Sequence, residues 1–428
     1  MRNAARKVDQ NMATEYIPIL VLSLVLFLIA IRKIGNIRIK IWQAMTMGAV
    51  VVLVTCQITP WDALISINID VLIFLFGMFV VGESMQRSGY LNILSRRLFH
   101  RAESVDHLVL LILFPAGLFS ALLMNDTLAI IGTPIVLGLS KKHGLSPKLL
   151  LLTLAFAVTT GSVLSPIGNP QNLLIASSGG IGSPFITFLQ YLTIPTILCL
   201  LVAYFFLRFF YRSEFETPLV ETRFEEKETD SRQIWLSKLA LISIILMIGI
   251  KVVTVFAFPS IEFRLSYIAI IAALPLIVLS RKRVEIVRNI DWATLLFFAS
   301  MFVLMASVWQ SGVFQELISS MNLDLTSIPT IMTIGLVLSQ LISNVPLVAL
   351  LIPVFSSNGA SLVELMALAA GSTIAGNMLI LGAASNVIII QNAEKQGHTI
   401  EFSEFAKIGI PLTVIQTFVY LVFLLLMP

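Results

Sequence analysis

Charge is what this chain has least of. Lys, Arg, Asp and Glu make up 12% of its 428 residues, against 57% apolar, where a soluble domain carries roughly a quarter charged. So small a charged fraction excludes a fully water-covered surface, and a mean hydropathy of +0.94 assigns much of the covering to lipid. Cysteine is nearly missing. Cys56 and Cys199 both lie in long apolar runs, which excludes a disulfide framework and a thiolate metal cluster and reads as small residues of a membrane core. The four histidines (His100, His107, His143 and His398) fall in loops or at helix ends with no H-E-x-x-H spacing, and there is no P-loop. Direct ATP binding is therefore not expected, and no catalytic constellation marks an enzyme. The basic residues form no continuous face with interleaved aromatics, so nucleic acid is not an expected partner.

Long apolar runs are what is present. A bilayer core of about 30 Å needs roughly 20 apolar residues as helix. Twelve such stretches occur, near 15–31, 41–58, 70–86, 107–140, 148–178, 184–211, 234–258, 265–280, 291–310, 326–356, 362–391 and 405–427. The first follows Arg2, Arg6 and Lys7, but Arg32-Lys33 stands where a secretory cleavage site would lie, so it reads as a retained membrane helix. Stretches 107–140 and 326–356 are too long for one crossing and too short for two. Each is polar in its middle, at Asn125-Asp126-Thr127 and Ser343-Asn344. A helical hairpin that enters and returns to its own side fits both, with its tip on a cavity, because bare backbone is not tolerated against lipid. Ten full crossings remain.

With residues 31–40 cytoplasmic, 23 of the 28 Lys and Arg fall on that side, leaving Arg2, Arg6, Lys7, Lys251 and Arg264 outside. This is the positive-inside pattern. It predicts a multi-pass plasma-membrane protein with loops 31–40, 87–106, 141–148, 212–233, 281–290 and 392–404 in the cytoplasm. The acidic stretch 212–233 is a solvated connector between halves 1–211 and 234–428.

The halves repeat each other. Met78-Phe79 and Ser88-Gly89 return as Met301-Phe302 and Ser311-Gly312; Asn125 precedes Pro134, and Asn344 precedes Pro353, by nine residues. Gly168-Asn169-Pro170-Gln171-Asn172 is set against Gly382-Ala383-Ala384-Ser385-Asn386. Five crossings per half is an odd number, so the second copy is expected upside down. The predicted fold is an all-α membrane protein of two inverted repeats, each with five transmembrane helices and one re-entrant hairpin, and with the site between them near mid-bilayer.

Four polar breaks carry the chemistry: the two tips and the segments that follow them. In 148–178, Thr159-Thr160-Gly161-Ser162 leads to Ser165-Pro166-Ile167-Gly168-Asn169-Pro170-Gln171-Asn172. In 362–391 stand Gly371-Ser372-Thr373, Gly376-Asn377 and Gly382 through Asn386. Unwound carbonyls and Asn or Ser oxygens can hold Na⁺, while half-helix N-termini attract an anion. Taken singly, such small residues also glue helices together; their coincidence with the repeat favours a shared site. Asp126 has two readings. It titrates or binds a cation during transport, or it caps the returning hairpin helix with Asn125. Asp70, Glu83, Asp291 and Glu364 lie nearer helix ends and read as interfacial. No Lys or Arg sits deep beside the breaks, so a bound anion would lean on dipoles, hydroxyls, amides and co-bound cations.

These motifs resemble the ion transporter superfamily, which includes divalent anion/sodium symporters, arsenite permeases and certain sodium/proton antiporters. Met124-Asn125-Asp126-Thr127 with Pro134 looks like the first tip motif, in the Asn-Asp form of the arsenite-permease branch. Ser343-Asn344-Val345-Pro346 with Pro353 is similar to the second, although Val345 departs from the dicarboxylate pattern. Ser165 through Asn172 and Gly382 through Asn386 resemble the paired unwound segments. The resemblance implies that Asn125, Thr127, Asn172, Asn344 and Asn386 line substrate and cation sites. It also implies a scaffold part, often dimeric, and a moving part that holds the hairpins. The expected site comprises Asn125, Asp126, Thr127, Ser165, Gly168, Asn169, Asn172, Ser343, Asn344, Gly382, Ser385 and Asn386, with Na⁺ near Asn125, Asn172, Asn344 and Asn386. The expected function is secondary transport of a small anion coupled to Na⁺ or H⁺, with no other cofactor. An arsenite-type efflux permease or a sodium/proton antiporter with Asp126 as carrier is the alternative.

Overall fold

The structure, a computed structural model, describes residues 16–31, 33–34, 37–38, 40–90, 93, 102–219, 231–257, 263–320 and 324–427. Most of the expected connector 212–233, the N-terminal Arg2, Arg6 and Lys7, and the loop residues Arg96, Arg97 and Arg101 lie outside the described residues. Apart from a two-residue antiparallel ribbon, Lys33–Ile34 with Ile37–Arg38, the described regular structure is helical.

The first half runs α1 (Ile17–Ile31), α2 (Ile41–Val54), α3 (Pro60–Ser66), α4 (Ile69–Ser88), α5 (Val105–Leu123), α6 (Asn125–His143), α7 (Pro147–Ser162), α8 (Pro170–Ser178), α9 (Pro184–Phe210) and α10 (Arg212–Phe215). The second runs α11 (Ser231–Ala257), α12 (Leu265–Leu279), α13 (Arg283–Asn289), α14 (Trp292–Gln310), α15 (Val313–Ser320), α16 (Ile328–Ile342), α17 (Asn344–Ser357), α18 (Leu362–Ile374), α19 (Ala384–Glu394) and α20 (Phe402–Leu426). Two 3₁₀ turns, Ala375–Asn377 and Ile380–Gly382, lie between α18 and α19. Element order in one half thus matches order in the other, down to the short helices α3 and α13.

Six helices are long and apolar enough to cross a membrane: α4, α5, α9, α11 (through Thr254), α14 and α20. The other apolar helices are shorter, among them α2, α7, α12 and α18. α7 and α18 are short because their segments break, as their prolines and glycines require. α5 is the departure from expectation: at 19 residues it rises about 28 Å, a full bilayer depth, rather than part of one. The lipid-facing character is plain in Phe209 and Val54, 78% and 75% exposed, a cost in water that hydrocarbon removes.

The helices pack as two groups. α1, α2, α4, α11, α12 and α14 pack mainly among themselves, as do α5–α9 and α16–α20. Contacts exchange between the halves: α4 lies on α12 and α2 on α14, while α6 lies on α19 and α8 on α17. Matched positions meet at the first pair of crossings. A methyl added at Gly77 would sit 2.7 Å from the Ala269 carbonyl oxygen. At the equivalent crossing the Thr46 and Ser300 hydroxyls lie 3.0 Å apart. The first group also encloses a polar ladder in which Gln233 Nε2 donates to Ser84 Oγ at 2.8 Å, Ser280 Oγ donates to Gln233 Oε1 at 2.8 Å, and Ser84 and Ser237 hydroxyls meet at 3.0 Å. Buried hydroxyls and amides are tolerated in an apolar core when they satisfy one another in this way.

The interfacial carboxylates act as anchors. Asp70 pairs with Arg264 at 3.1 Å, Glu83 with Arg87 at 2.5 Å, Asp291 caps α14 by accepting from Thr294 N–H, and Glu364 completes a capping box with Ser361. Asp106 at the start of α5 pairs with Arg208 at the end of α9, and Lys148 at the start of α7 with Glu404 at the start of α20. Glu214 of α10 accepts from Ser146 N–H at 3.0 Å, in the turn between α6 and α7. The outer ends of α5 and α6 therefore share one face of the molecule. Cys199 is buried and Cys56 exposed, both as free thiols.

Candidate substrate and cation site

Each expected hairpin turns on a single residue. Met124 separates α5 from α6 with φ 71° and ψ 142°, and Ser343 separates α16 from α17 with φ 75° and ψ 151°. Non-glycine residues rarely adopt this region, at a cost of order 1–3 kcal/mol. It appears at the matched position of both halves, immediately before Asn125 and Asn344. Asn125 and Asp126 do not cap α6 as one reading had it: Met124 takes the cap position without a side-chain bond. Asn125 instead turns its Oδ1 to accept from Asp126 N–H at 2.9 Å, and its own N–H donates to Gly168 O at 2.9 Å. The first tip is thereby fastened to the first break. Thr127 is buried, its methyl 2.5 Å from where a Cβ on Gly82 of α4 would stand. Asp126 is half-buried, and no described side chain hydrogen-bonds or ion-pairs with its carboxylate.

The first break, 163–169, is wired by amides. Asn169 caps α8, its Oδ1 accepting from Asn172 N–H at 2.8 Å. Asn172 Nδ2 reaches back to the carbonyls freed by the break, at Ser162 O (3.1 Å), Val163 O (3.4 Å) and Ser165 O (3.1 Å). Ser165 Oγ accepts from Ile167 N–H at 3.2 Å. At Gly168 any Cβ would collide with Ser162 O, so the close approach requires glycine. From the other half, Thr373 Oγ1 donates to Asn172 Oδ1 at 3.2 Å and accepts from Asn169 and Gln171 amides, both at 3.3 Å.

The second break repeats one bond. Asn386 Nδ2 donates to Gly376 O at 2.6 Å, and Asn386 and Gly376 stand 214 residues beyond Asn172 and Ser162. Gln340, three residues before the second tip, donates to Ala375 O at 2.7 Å, and its Oε1 lies 2.9 Å from where a Cβ on Gly382 would stand. Several buried oxygens here accept from no donor: Asn344 Oδ1, Ser385 Oγ, Asn386 Oδ1, Gln340 Oε1 and Asn377 Oδ1. Uncharged oxygens gathered without donors are the ligand chemistry of a hard cation. Among the described residues no three of His, Cys, Asp and Glu cluster as a metal site.

The structure therefore joins Asn125 to Gly168, gathers Ser165, Asn169 and Asn172 within one break, and sets Gly382, Ser385 and Asn386 in the other, with Asn344 at the tip of the neighbouring hairpin. The selection from sequence missed Gln340, Thr373 and Gln416. Gln416 Nε2 donates to Thr160 Oγ1 at 3.2 Å and Gln416 Oε1 accepts from Asn377 Nδ2 at 2.8 Å. The signal was an amide inside an otherwise apolar helix, which is costly in lipid unless partnered.

Known proteins agree with this architecture. The chain is 26% identical over 416 residues to the 46 kDa membrane protein of Mycobacterium leprae, spanning 92% of this chain and 96% of that one. It is 24% identical to the human P protein over 84% of this chain and 53% of that longer one. The YdaH transporter of Alcanivorax borkumensis superposes with a TM-score of 0.58 at 16% identity, covering 97% of both chains, and so shares its fold. The model of the citrate transporter family CitMHS matches residues 24–361. With its apolar helices, paired breaks and absence of catalytic groups, the chain is a multi-pass membrane transporter, not an enzyme, and it belongs to the CitMHS family.

Proposed function

We propose that this protein is a cation-coupled secondary transporter of a small carboxylate or oxyanion, working by alternating access in the plasma membrane. In this reading the halves are inverted repeats, α5–α6 and α16–α17 are re-entrant hairpins, and the basic loops face the cytoplasm. The helices α1–α4 and α11–α15 are the scaffold, and a homodimer through them is part of the proposal. The observation that carries it is the matched turn at Met124 and Ser343, which delivers Asn125 and Asn344 to two interrupted helices. Helix N-termini at α6, α8, α17 and α19 supply partial positive charge for an anion without a guanidinium. The acceptor-only oxygens of the second break supply the complementary place for Na⁺. The family's printed description, citrate transporter, makes citrate the first solute to try.

Asp126 favours a second reading. A half-buried carboxylate without a cationic partner is equipped to carry a proton, as a sodium/proton antiporter or arsenite-type permease would need. Purified protein in proteoliposomes separates the readings. Labelled citrate, other carboxylates and arsenite are offered under an imposed Na⁺ or pH gradient, and flux should collapse with the ionophore that dissipates the coupling gradient. Antiport instead gives a lumenal pH change on a Na⁺ pulse with no other solute. No gradient-driven flux and no proton signal would remove both.

A further inference from the structure

The cross-half contact that closes the first break has a counterpart that is open. In the first break, Thr373 bonds Asn172, Gln171 and Asn169. Shifting each by 214 positions gives Thr159 opposite Asn386, Ser385 and Ala383. Those residues are neighbours: a methyl at Gly376 would lie 3.1 Å from Thr159 Cγ2 and 2.7 Å from Ala383 Cβ, and Asn386 bonds the Gly376 carbonyl. Yet Thr159 Oγ1, Ser385 Oγ and Asn386 Oδ1 are all without a hydrogen-bond partner, in residues 1%, 0% and 1% exposed. Three buried polar atoms left bare at one locus cost about 1–3 kcal/mol each, which a bound species would recover.

We infer that Thr159 Oγ1, Ser385 Oγ and Asn386 Oδ1 form a monovalent-cation site, present on this side of the molecule only. It places the coupling ion within the transport reading above and adds Thr159, from the opposite half, as a ligand. The ligand set selects the charge. Two hydroxyls and an amide oxygen suit Na⁺, whereas a divalent ion draws on carboxylates, and no metal-ligating acidic cluster is present among the described residues. Helix ends agree: Thr159 lies in the last turn of α7 and Gly376 just beyond α18, so two carbonyl-bearing C-termini outweigh the single N-terminus of α19.

The test reads binding rather than flux, so it stands apart from the transport assay. The purified full chain is melted in detergent against increasing NaCl, with choline chloride holding ionic strength constant. The wild type should gain melting temperature with Na⁺, as mass action requires. Thr159→Val and Ser385→Ala should weaken the apparent Na⁺ affinity at least tenfold, and Thr159→Ser should retain it. Thr373→Val should lower the melting temperature without Na⁺ but keep the Na⁺ response, which separates ligation from general packing. A wild type indifferent to Na⁺, meaning that only water sits there, overturns the inference, as does an unchanged response in Thr159→Val. Citrate flux driven by Na⁺ with an intact response in these variants would leave transport standing and sink this site alone.

Discussion

The two breaks start from the same plan and end differently. Around the first, Asn172 ties down three carbonyls, Thr373 locks the amides from across the halves, and Asn125 fastens the hairpin tip through Gly168. Around the second, Asn386 holds one carbonyl, and among the described residues no bond joins Asn344 to Gly382. A duplicated fold can thus keep the backbone geometry in both copies while concentrating rigidity in one and ligand-hungry oxygens in the other. Fixed dipoles suit holding an anion, and bare acceptors suit a visiting cation.

The sharpest way to break that contrast is to remove the matched amides. Asn172→Ala should destabilise the protein by about 3 kcal/mol, because it strands several buried carbonyls, and Asn386→Ala by about 1 kcal/mol. Denaturant unfolding in micelles measures both, and equal losses would mean that the halves are equally wired. Next comes the helix crossing beside the first break. Gly161→Ala gives the first half the residue that the second carries at Ala375, but its methyl would strike the Gly117 backbone. A loss of about 2 kcal/mol is expected from such overpacking, visible in the same unfolding curves. The smallest effect is at the tips. Ser343→Gly should raise stability by about 1 kcal/mol by relieving the positive φ. Met124→Gly should lower it, since Met124 is wholly buried and its packing outweighs the relief. A thermal melt of the pair reads the sign directly.

Polar residues inside apolar runs marked both tips and both breaks in the sequence because lipid penalises them in any context. The structure's hairpin arms, 105–143 and 328–357, sit within a few residues of the expected spans. Other features were hidden for physical reasons. Thr373 reads as an ordinary helix-gluing threonine until the fold brings Asn172, 201 residues away, against it. Gln340 and Gln416 each sit alone in an apolar stretch, and nothing local says which carbonyl or hydroxyl they serve. The capping reading of Asn125 and Asp126 failed because it assumed ordinary backbone at Met124. Local propensity cannot foresee a residue held in the left-handed region by the surrounding packing.

Gly82 of α4 faces the methyl of Thr127 with no side chain of its own between them. That contact joins the helix group holding the hairpins to the group that does not, and it offers almost no relief for one surface to catch on the other. A Gly82→Leu peg there would act as a brake: it should jam sliding between the groups while leaving each bundle internally sound.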